Sequence, residues 1–376
     1  MTLGQQLDIF GNTVPDVSTE GVKYAGSKLK LIPDILSMVE PYRISSVWDA
    51  FSGTTRVSQA FAKNGYHVIS SDRAVWSEVF GTCYLCCSHS RTYYEELFEH
   101  LNSLKPVHGW FTENYGSIKS ASEGGEKRPW QAKNTMKLDA IRTEIDRLHL
   151  SKIDKSVALT GLMLALDKVD NTLGHHVSYL KKWSPRSYND LWLEVPHFTQ
   201  YEQGLHSVYC DDVFNLTDKV NADLAYFDPP YGSNNEKMPP SRVRYSSYYH
   251  LWKTVCLNDE PELFGKANRR CDSKDTVSPS LFEEYRKDPD GKYIAVEAIE
   301  RLVREAKATW ILLSYSSGGR ATAQELQDVL SSNGKIVSAR AINYKKNVMA
   351  EMKWTNEWLR EAEEPNKEFL FLLHKD

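Results

Sequence analysis

Residues 222–233 read "ADLAYFDPPYGS". The apolar run from Ala222 to Phe227 breaks off at Asp228 and continues as Pro229, Pro230 and Tyr231. Proline lacks a backbone donor and has a fixed φ, so a proline pair ends a strand. The stretch predicts a buried strand that stops on a carboxylate, two rigid rings and a phenol. It is either a plain surface turn or a clamp for a flat ligand, and the flanking sequence bears on the choice.

Upstream, "ISSVWDAF" is a short strand ending at Asp49. "SGTTR" turns the chain into the helix "VSQAFAKNG", closed by Gly65, and "YHVISSD" is a second strand ending at Asp72. This is a strand–helix–strand unit of the kind that makes a parallel crossover. Before it, "YAGSKLKLIPDILSMV" reads as a glycine turn and an amphipathic helix with Leu31, Ile32, Ile35, Leu36 and Val39 on one face. "SVYCDDVFNL" brings a third strand, and "ATWILLSYSS" a fourth strongly apolar one. A helix stopped by Gly334 follows, then "KIVSARAI" and "EFLFLLHKD" as a closing antiparallel pair. The fold class is α/β: a Rossmann-like open, mostly parallel sheet with a C-terminal antiparallel strand pair and a mainly helical insertion.

The sheet-forming pieces fall in residues 1–75 and 205–376, expected to form one domain. Residues 76–204 are expected to be the insertion. Within it 88–104, "MKLDAIRTEIDRLHL" and "KSVALTGLMLALDKVDNTL" have helical character, and the Gly- and Ser-rich residues 113–134 read as a loop. Residues 232–290 are polar, aromatic and basic with little period, and read as a loop insertion in the main domain.

The chain has 376 residues, a net charge of −4 and a pI near 6.3. That excludes a protein coating nucleic acid by charge alone but permits a local basic groove. The N-terminal stretch has neither the basic start nor the apolar core of a signal peptide, and no apolar run reaches the roughly 18 residues of a membrane span. A cytoplasmic, non-membrane location is expected, with the six cysteines reduced. Cys83 and Cys86 have zinc-like spacing, but no matching second pair follows, so no metal is expected.

Open α/β sheets bind ligands at the carboxyl ends of their strands. Asp49 and Gly53 lie there, and the single-glycine turn lacks both the dinucleotide fingerprint and the phosphate-loop lysine. Such a turn suits a nucleoside without a pyrophosphate, while Asp72 is placed to accept ribose hydroxyls. Asp211 and Asp212 end the third strand, where one of them could accept the amino group of an adenine; a solvated turn is the alternative. At Asp228, a carboxylate and the rigid carbonyl of Pro229 offer two acceptors to the two hydrogens of an exocyclic amine. Tyr231 adds a flat face. Holding both hydrogens out of the ring plane favours a tetrahedral nitrogen whose lone pair can attack an electrophile.

With "KYAGSK", "DAFSGTT", "SSD", "CDD" and "DPPY" in this order across residues 23–231, the chain resembles the alpha-group DNA adenine-N6 methyltransferases, which include the Dam methylases. The resemblance implies S-adenosylmethionine as cofactor. It implies contacts from Tyr24 and Lys28, the turn Asp49, Phe51, Ser52 and Gly53, the ribose acid Asp72, Asp212 as the best match of the third motif with Asp211 as the alternative, and Asp228. It implies catalysis by Asp228, Pro229, Pro230 and Tyr231, and target recognition by about 76–204. Ser27 and Thr55 stand where many relatives carry a second glycine, and the insertion looks more like that of some restriction-modification methylases than the hairpin domain of Dam.

DNA contacts are expected from "PPSRVRYSSYYHLWK", with Arg242, Arg244 and Tyr245, and from Lys266, Arg269 and Arg270 in "GKANRR". "EKRPW" at Glu126–Trp130 and "KKW" at Lys181–Trp183 are further candidates; a plain charged surface is the alternative for each. The expected function is methyl transfer to the N6 amino group of a flipped adenine in double-stranded DNA, in a restriction-modification setting with a cognate endonuclease as partner. The rivals are a cytosine-N4 methyltransferase and a non-catalytic DNA-binding protein on a methylase fold.

Overall fold

The computed structural model of the chain describes residues 15–232, 244–274, 277, 280–343 and 367–375. One sheet contains β1 (Ser46–Asp49), β2 (His67–Asp72), β3 (Ser207–Cys210), β4 (Asn221–Phe227), β5 (Lys307–Ser316), β6 (Gly334–Asn343) and β7 (Lys367–Lys375). Their spatial order is β6-β7-β5-β4-β1-β2-β3. All pairings among β1 to β5 are parallel, and β7 runs antiparallel between β5 and β6. The expected antiparallel closing pair is therefore present. The strand order reverses at β1 and β4, which is where a doubly wound sheet opens a crevice.

Strand side chains alternate between two faces. On one, α1 (Ile32–Val39) and α2 (Arg56–Lys63) bury Ile35, Leu36, Val39, Val57 and Phe61 against Val47, Val68, Leu224, Leu312 and Leu370. Pro33 sits in the first turn of α1, where its missing donor is harmless. The opposite face is covered by two helices from the C-terminal part of the chain. These are α10 (Ile294–Glu305) and α11 (Ala323–Ser331), packed over Ala225, Phe227, Ile311, Leu313 and Phe371. The first turn of α11 is closed by a reciprocal Thr322–Glu325 capping box. Burying each large aliphatic side chain contributes about 1.5–3 kcal/mol, so these two layers hold the sheet.

α3 (Val75–Cys86) also belongs to this framework, because it lies over β2 and β3. A methyl added at Gly81 would come within 2.9 Å of Val208, so glycine permits that close approach. The insertion expected from residue 76 thus begins with a helix that packs both on the sheet and, through Trp76, Phe80 and Tyr84, on the helices that follow. Its own core joins α4 (Glu95–Ser103), α5 (Trp110–Tyr115), α6 (Ala132–Arg147) and α7 (Lys152–Lys168) through Phe98, Phe111, Leu138, Ile141, Leu162 and Leu166. The stretch 113–134 is less of a loop than expected: it carries the end of α5, the start of α6 and a short parallel pairing of Gly116–Ser117 with Trp130–Gln131.

The reading of 232–290 as a loop insertion differs more. Residues 245–257 form α8 (Tyr245–Tyr248) and α9 (His250–Leu257), and Tyr249, Leu251, Trp252 and Val255 are buried in the insertion's core. Buried Arg142 donates to the carbonyls of Val255, at 2.6 Å, and Cys256, at 3.0 Å, and so satisfies acceptors left over at the C-terminus of α9. Of the aromatic residues in this segment, Tyr248, Tyr249 and Trp252 are buried in that core, and Tyr245 packs against it.

Candidate active site

The carboxyl ends of β1, β2, β3 and β4 frame a cavity of about 360 Å³. Two groups of rings line it. Tyr24, Trp76, Tyr245 and Tyr249 form one, with the Tyr24 ring centroid 5.4 Å from Tyr245 and 4.5 Å from Tyr249. Phe51, Phe214 and Phe282 form the other, Phe214 and Phe282 stacked at 5.7 Å. Between them Asp72, Asp211, Asp212, Asp228 and Pro230 present polar atoms or rigid backbone.

The turn after β1 is built as its sequence foretells. Gly53 adopts φ +49°, and its N–H donates to Asp72 Oδ2 at 2.9 Å. Asp72 Oδ1 accepts from the N–H of Ala74 at 2.9 Å, which fixes the carboxylate at the cavity edge. Thr55, in place of a glycine, still takes the left-handed φ of +61°. Ser52 is buried and donates to the carbonyl of Ser71 at 3.1 Å, so it braces the turn and does not line the cavity. Asp49 is fully enclosed. Its Oδ2 accepts from Ser58 Oγ at 2.6 Å, and its Oδ1 has no hydrogen-bond partner among the described residues. Burial pushes the Asp49 carboxyl up to about 7, against the Ser58 hydrogen bond.

Asp211 and Asp212 cap the turn beyond β3. Asp211 Oδ1 accepts from Asn215 Nδ2 at 2.8 Å, and Asp212 Oδ1 from the N–H of Phe214 at 3.0 Å. Both still face the cavity.

At the end of β4 the Asp228 turn is held from behind. Lys28 Nζ lies 2.9 Å from Asp228 Oδ1, 3.1 Å from Glu368 Oε1 and 3.1 Å from the carbonyl of Gly26, so its three donors are occupied. The Lys28 side chain is 6 % exposed. It stands behind the Asp228 turn and does not line the cavity, unlike the position expected of a cofactor contact. The Tyr231 hydroxyl reaches both Asp228 Oδ1 and Glu368 Oε1, the latter at 2.5 Å. Its ring lies beside Tyr315, at 4.7 Å, and under Lys28 Nζ, at 4.9 Å. The Tyr231 ring, foreseen as a flat face, is packed between these groups and does not line the cavity; on the Asp228 side the rings that do are Tyr24, Trp76, Tyr245 and Tyr249. Burial and the Glu368 charge raise the Asp228 carboxyl to about 6 despite Lys28. Burial opposes the Lys28 charge, but the two carboxylates hold its ammonium well above the ordinary lysine range.

The residues expected at DNA scatter. Tyr245 lines the cavity. Arg244 is buried at the start of α8, and Arg242 lies outside the described residues. Arg270 is 3 % exposed and forms a two-pronged ion pair with Asp259, at 2.6 and 2.7 Å, plus contacts to Asp272. It is a strut and is not offered to a phosphate. Lys266 is exposed, and Arg269 is half-buried over the Phe264 ring at 4.6 Å. Cys83 and Cys86 lie within α3, and no group of three metal-type side chains gathers among the described residues. No helix among them is long and apolar enough to cross a membrane.

Sequence reasoning missed Glu368, Trp76, Phe214 and Phe282. Glu368 carried a signal: it alternates with Leu370 and Leu372 in β7, so a carboxylate occupies an inward position of an apolar strand.

The family model of the D12 class N6 adenine-specific DNA methyltransferases matches residues 24–309. The chain is 29 % identical over 344 residues to the modification methylase StsI of Streptococcus sanguinis, covering 86 % of this chain and 48 % of that protein. It is 28 % identical over 323 residues to the type II methyltransferase M.NlaIII of Neisseria lactamica, covering 84 % and 89 %. It is 27 % identical over 374 residues to the type II methyltransferase M.FokI of Planomicrobium okeanokoites, covering 94 % and 53 %. The chain thus spans about half the length of the StsI and FokI methylases and nearly all of M.NlaIII. By the match across most of its length, with an unbroken Asp228–Tyr231 turn at the cavity, the chain belongs to the D12 class of N6 adenine-specific DNA methyltransferases.

Proposed function

We propose that this chain transfers a methyl group from S-adenosylmethionine to the N6 amino group of an adenine flipped out of duplex DNA. The observation that carries the proposal is Asp228: a carboxylate at the end of a central strand, backed by Lys28, Glu368 and Tyr231, in a cavity with two groups of aromatic rings. Two ring groups suit two flat heterocycles, one from the cofactor and one from the target.

The donor set fits the cofactor. Asp49 Oδ1, buried and without a partner next to the cavity-lining Ala50, suits a cationic ammonium. Asp72 suits ribose hydroxyls, and Asp212 or Asp211, with Phe51 and Phe214, suits an adenine ring and its amino group. When bound, S-adenosylmethionine supplies an electrophilic methyl on a sulfonium. The chain does the rest. Asp228 and the Pro229 carbonyl accept the two hydrogens of the target amine, and Tyr24 and Tyr245 flank its ring. Asp228, ionised above about pH 6, is the nearest base to take the proton the nitrogen sheds after transfer.

Support for a duplex substrate comes from three loops stitched onto one side of the insertion. The N–H of Ser122 donates to the carbonyl of Lys181 at 3.0 Å, Tyr179 Oη to that of Ala267 at 2.9 Å, and Tyr115 Oη to that of Asn268 at 2.8 Å. These bonds gather exposed Lys119, Lys127, Lys181, Lys182 and Lys266, with Ile118 standing 85 % exposed. Lysines around an apolar tip suit a DNA backbone and groove. A restriction-modification role with an endonuclease partner, and the cytoplasmic location that goes with it, belong to the same proposal.

The test is incubation with methyl-tritiated S-adenosylmethionine and duplex DNA, RNA or protein in parallel. Label confined to DNA is the expected result; label in RNA or protein, or none, would overturn the proposal.

A further inference from the structure

Glu368 enters neither the cofactor cradle nor the Asp228 turn, yet it is the most heavily engaged carboxylate at the site. It stands at the start of β7, paired across Ser316 of β5, and is buried. Its Oε1 alone meets three donors: Tyr231 Oη at 2.5 Å, Ser314 Oγ at 3.0 Å and Lys28 Nζ at 3.1 Å. Two of these, Lys28 and Tyr231, also reach Asp228 Oδ1. A hydroxyl has one hydrogen, so Tyr231 can serve only one of the two carboxylates at a time. Likewise a single ammonium faces two anions, and the group as a whole keeps one negative charge.

The consequence is a competition at the catalytic carboxylate. If Lys28 and Tyr231 had only Asp228 to serve, both would settle on it and cancel its charge. Its capacity to accept hydrogens from an incoming amine would fall, because an acceptor already saturated by an ammonium and a hydroxyl is a weaker one. A second carboxylate behind them draws both donors back. Burying two anions on one cation is costly for stability, so the arrangement calls for a functional reason.

We infer that Glu368 is a positioning residue: it shares Lys28 and Tyr231 with Asp228 and thereby keeps Asp228 a strong, cavity-facing acceptor for the target amine. The inference rests on the methyl-transfer reading above. Its chemistry is electrostatic, and no bond to Glu368 is made or broken. The raised titration of Asp228, to which the Glu368 charge contributes, agrees with the geometry.

The experiment compares wild type, Glu368→Gln, Glu368→Met and Glu368→Asp by methyl transfer to DNA across pH, with thermal melting as a check on folding. The neutral variants are expected to lower kcat at least about tenfold with KM for DNA changed less than about threefold, the split due to an interaction needed in the transition state. Their acid limb is expected to move to lower pH, because Asp228 then has Lys28 to itself. Glu368→Asp should bring the limb back to the wild-type position. A merely structural Glu368 would leave the limb in place whatever the loss of rate, and that result overturns the inference. So does a set in which only Glu368→Asp folds, since the charge would then serve folding. If Gln does not fold, Met carries the same test without a buried amide to satisfy. Wild type that labels no DNA refutes the methyl-transfer reading itself; active wild type with unmoved variants refutes only the role of Glu368.

Discussion

Lys28→Met removes the cation that Asp228 and Glu368 share while keeping most of the length and apolar stem of the side chain. At 2.9 Å and an effective dielectric of about 20, the attraction between Lys28 and Asp228 is roughly 6 kcal/mol. One pKa unit corresponds to about 1.4 kcal/mol, so the full loss would be about four units. The Asp228 side chain is 16 % exposed, and water entering beside the uncharged thioether screens part of this, leaving about one to two units. Asp228 stands near 6 with Lys28 present, so without it the acid limb should rise above about 7. The assay is the initial rate of tritiated methyl transfer to DNA over about pH 5.5 to 9, because the pH profile of kcat/KM reports the free enzyme's essential groups. Transfer at neutral pH should fall about tenfold for each unit by which the limb passes the assay pH and should recover in part at alkaline pH. An acid limb at its wild-type position, or displaced to lower pH, would refute the idea that Lys28 sets the charge of Asp228. Opposite displacements from Lys28→Met and a neutral residue at 368 would place all three groups in one electrostatic unit.

Three further outcomes are expected. Asp49→Asn removes a buried carboxyl that titrates near 7; such a group costs stability progressively as pH rises from about 4 to about 7, so the ligand-free variant should be about 1–3 kcal/mol more stable than wild type at pH 8 by denaturant unfolding. The same change should weaken S-adenosylmethionine binding, measured by calorimetry, because the orphaned oxygen would lose its charge. Arg270→Ala breaks the paired Asp259 and Asp272 contacts from a buried guanidinium and should cost about 2–4 kcal/mol of stability, with the salt dependence of DNA binding unchanged. Changing Lys119, Lys181 and Lys182 together to Gln should lower the slope of log affinity against log salt by up to about three, one for each phosphate no longer neutralised, while cofactor affinity holds; an unchanged slope would remove this face from the DNA interface.

The framework was legible because its signals are local. Apolar runs ending on acids at Asp49, Asp72 and Asp228 marked strands and their carboxyl ends, and Gly53 marked the positive-φ turn after β1. The helical period of α1 and of the long insertion helices α6 and α7 was likewise readable. What stayed hidden depends on long-range packing. The aromatic and basic run at 239–253 has the composition of an exposed nucleic-acid loop, and only the docking of α9 on α3 and α7, with Arg142 of α6 holding its last carbonyls, reveals its later part as core. Arg270 reads as basic from the sequence; Asp259 and Asp272, eleven residues before it and two after, cancel that charge in space. Tyr231 was foreseen as a stacking face, but Tyr315 and Glu368, more than eighty residues away, turn it into a hydrogen-bond donor. Composition gives the residue types of a site, and the sheet order decides which of them meet.

The central claim is that Asp228 presents an acceptor to the amino group of an adenine in DNA. Its most direct test is sequencing that identifies methylated bases in the genome of an otherwise unmethylated host expressing the chain, beside an Asp228→Ala control that still binds S-adenosylmethionine. N6-methyladenine at one recurring sequence, absent with the control, is the expected result. N4-methylcytosine, no modified base, or N6-methyladenine that persists with Asp228→Ala would contradict the account.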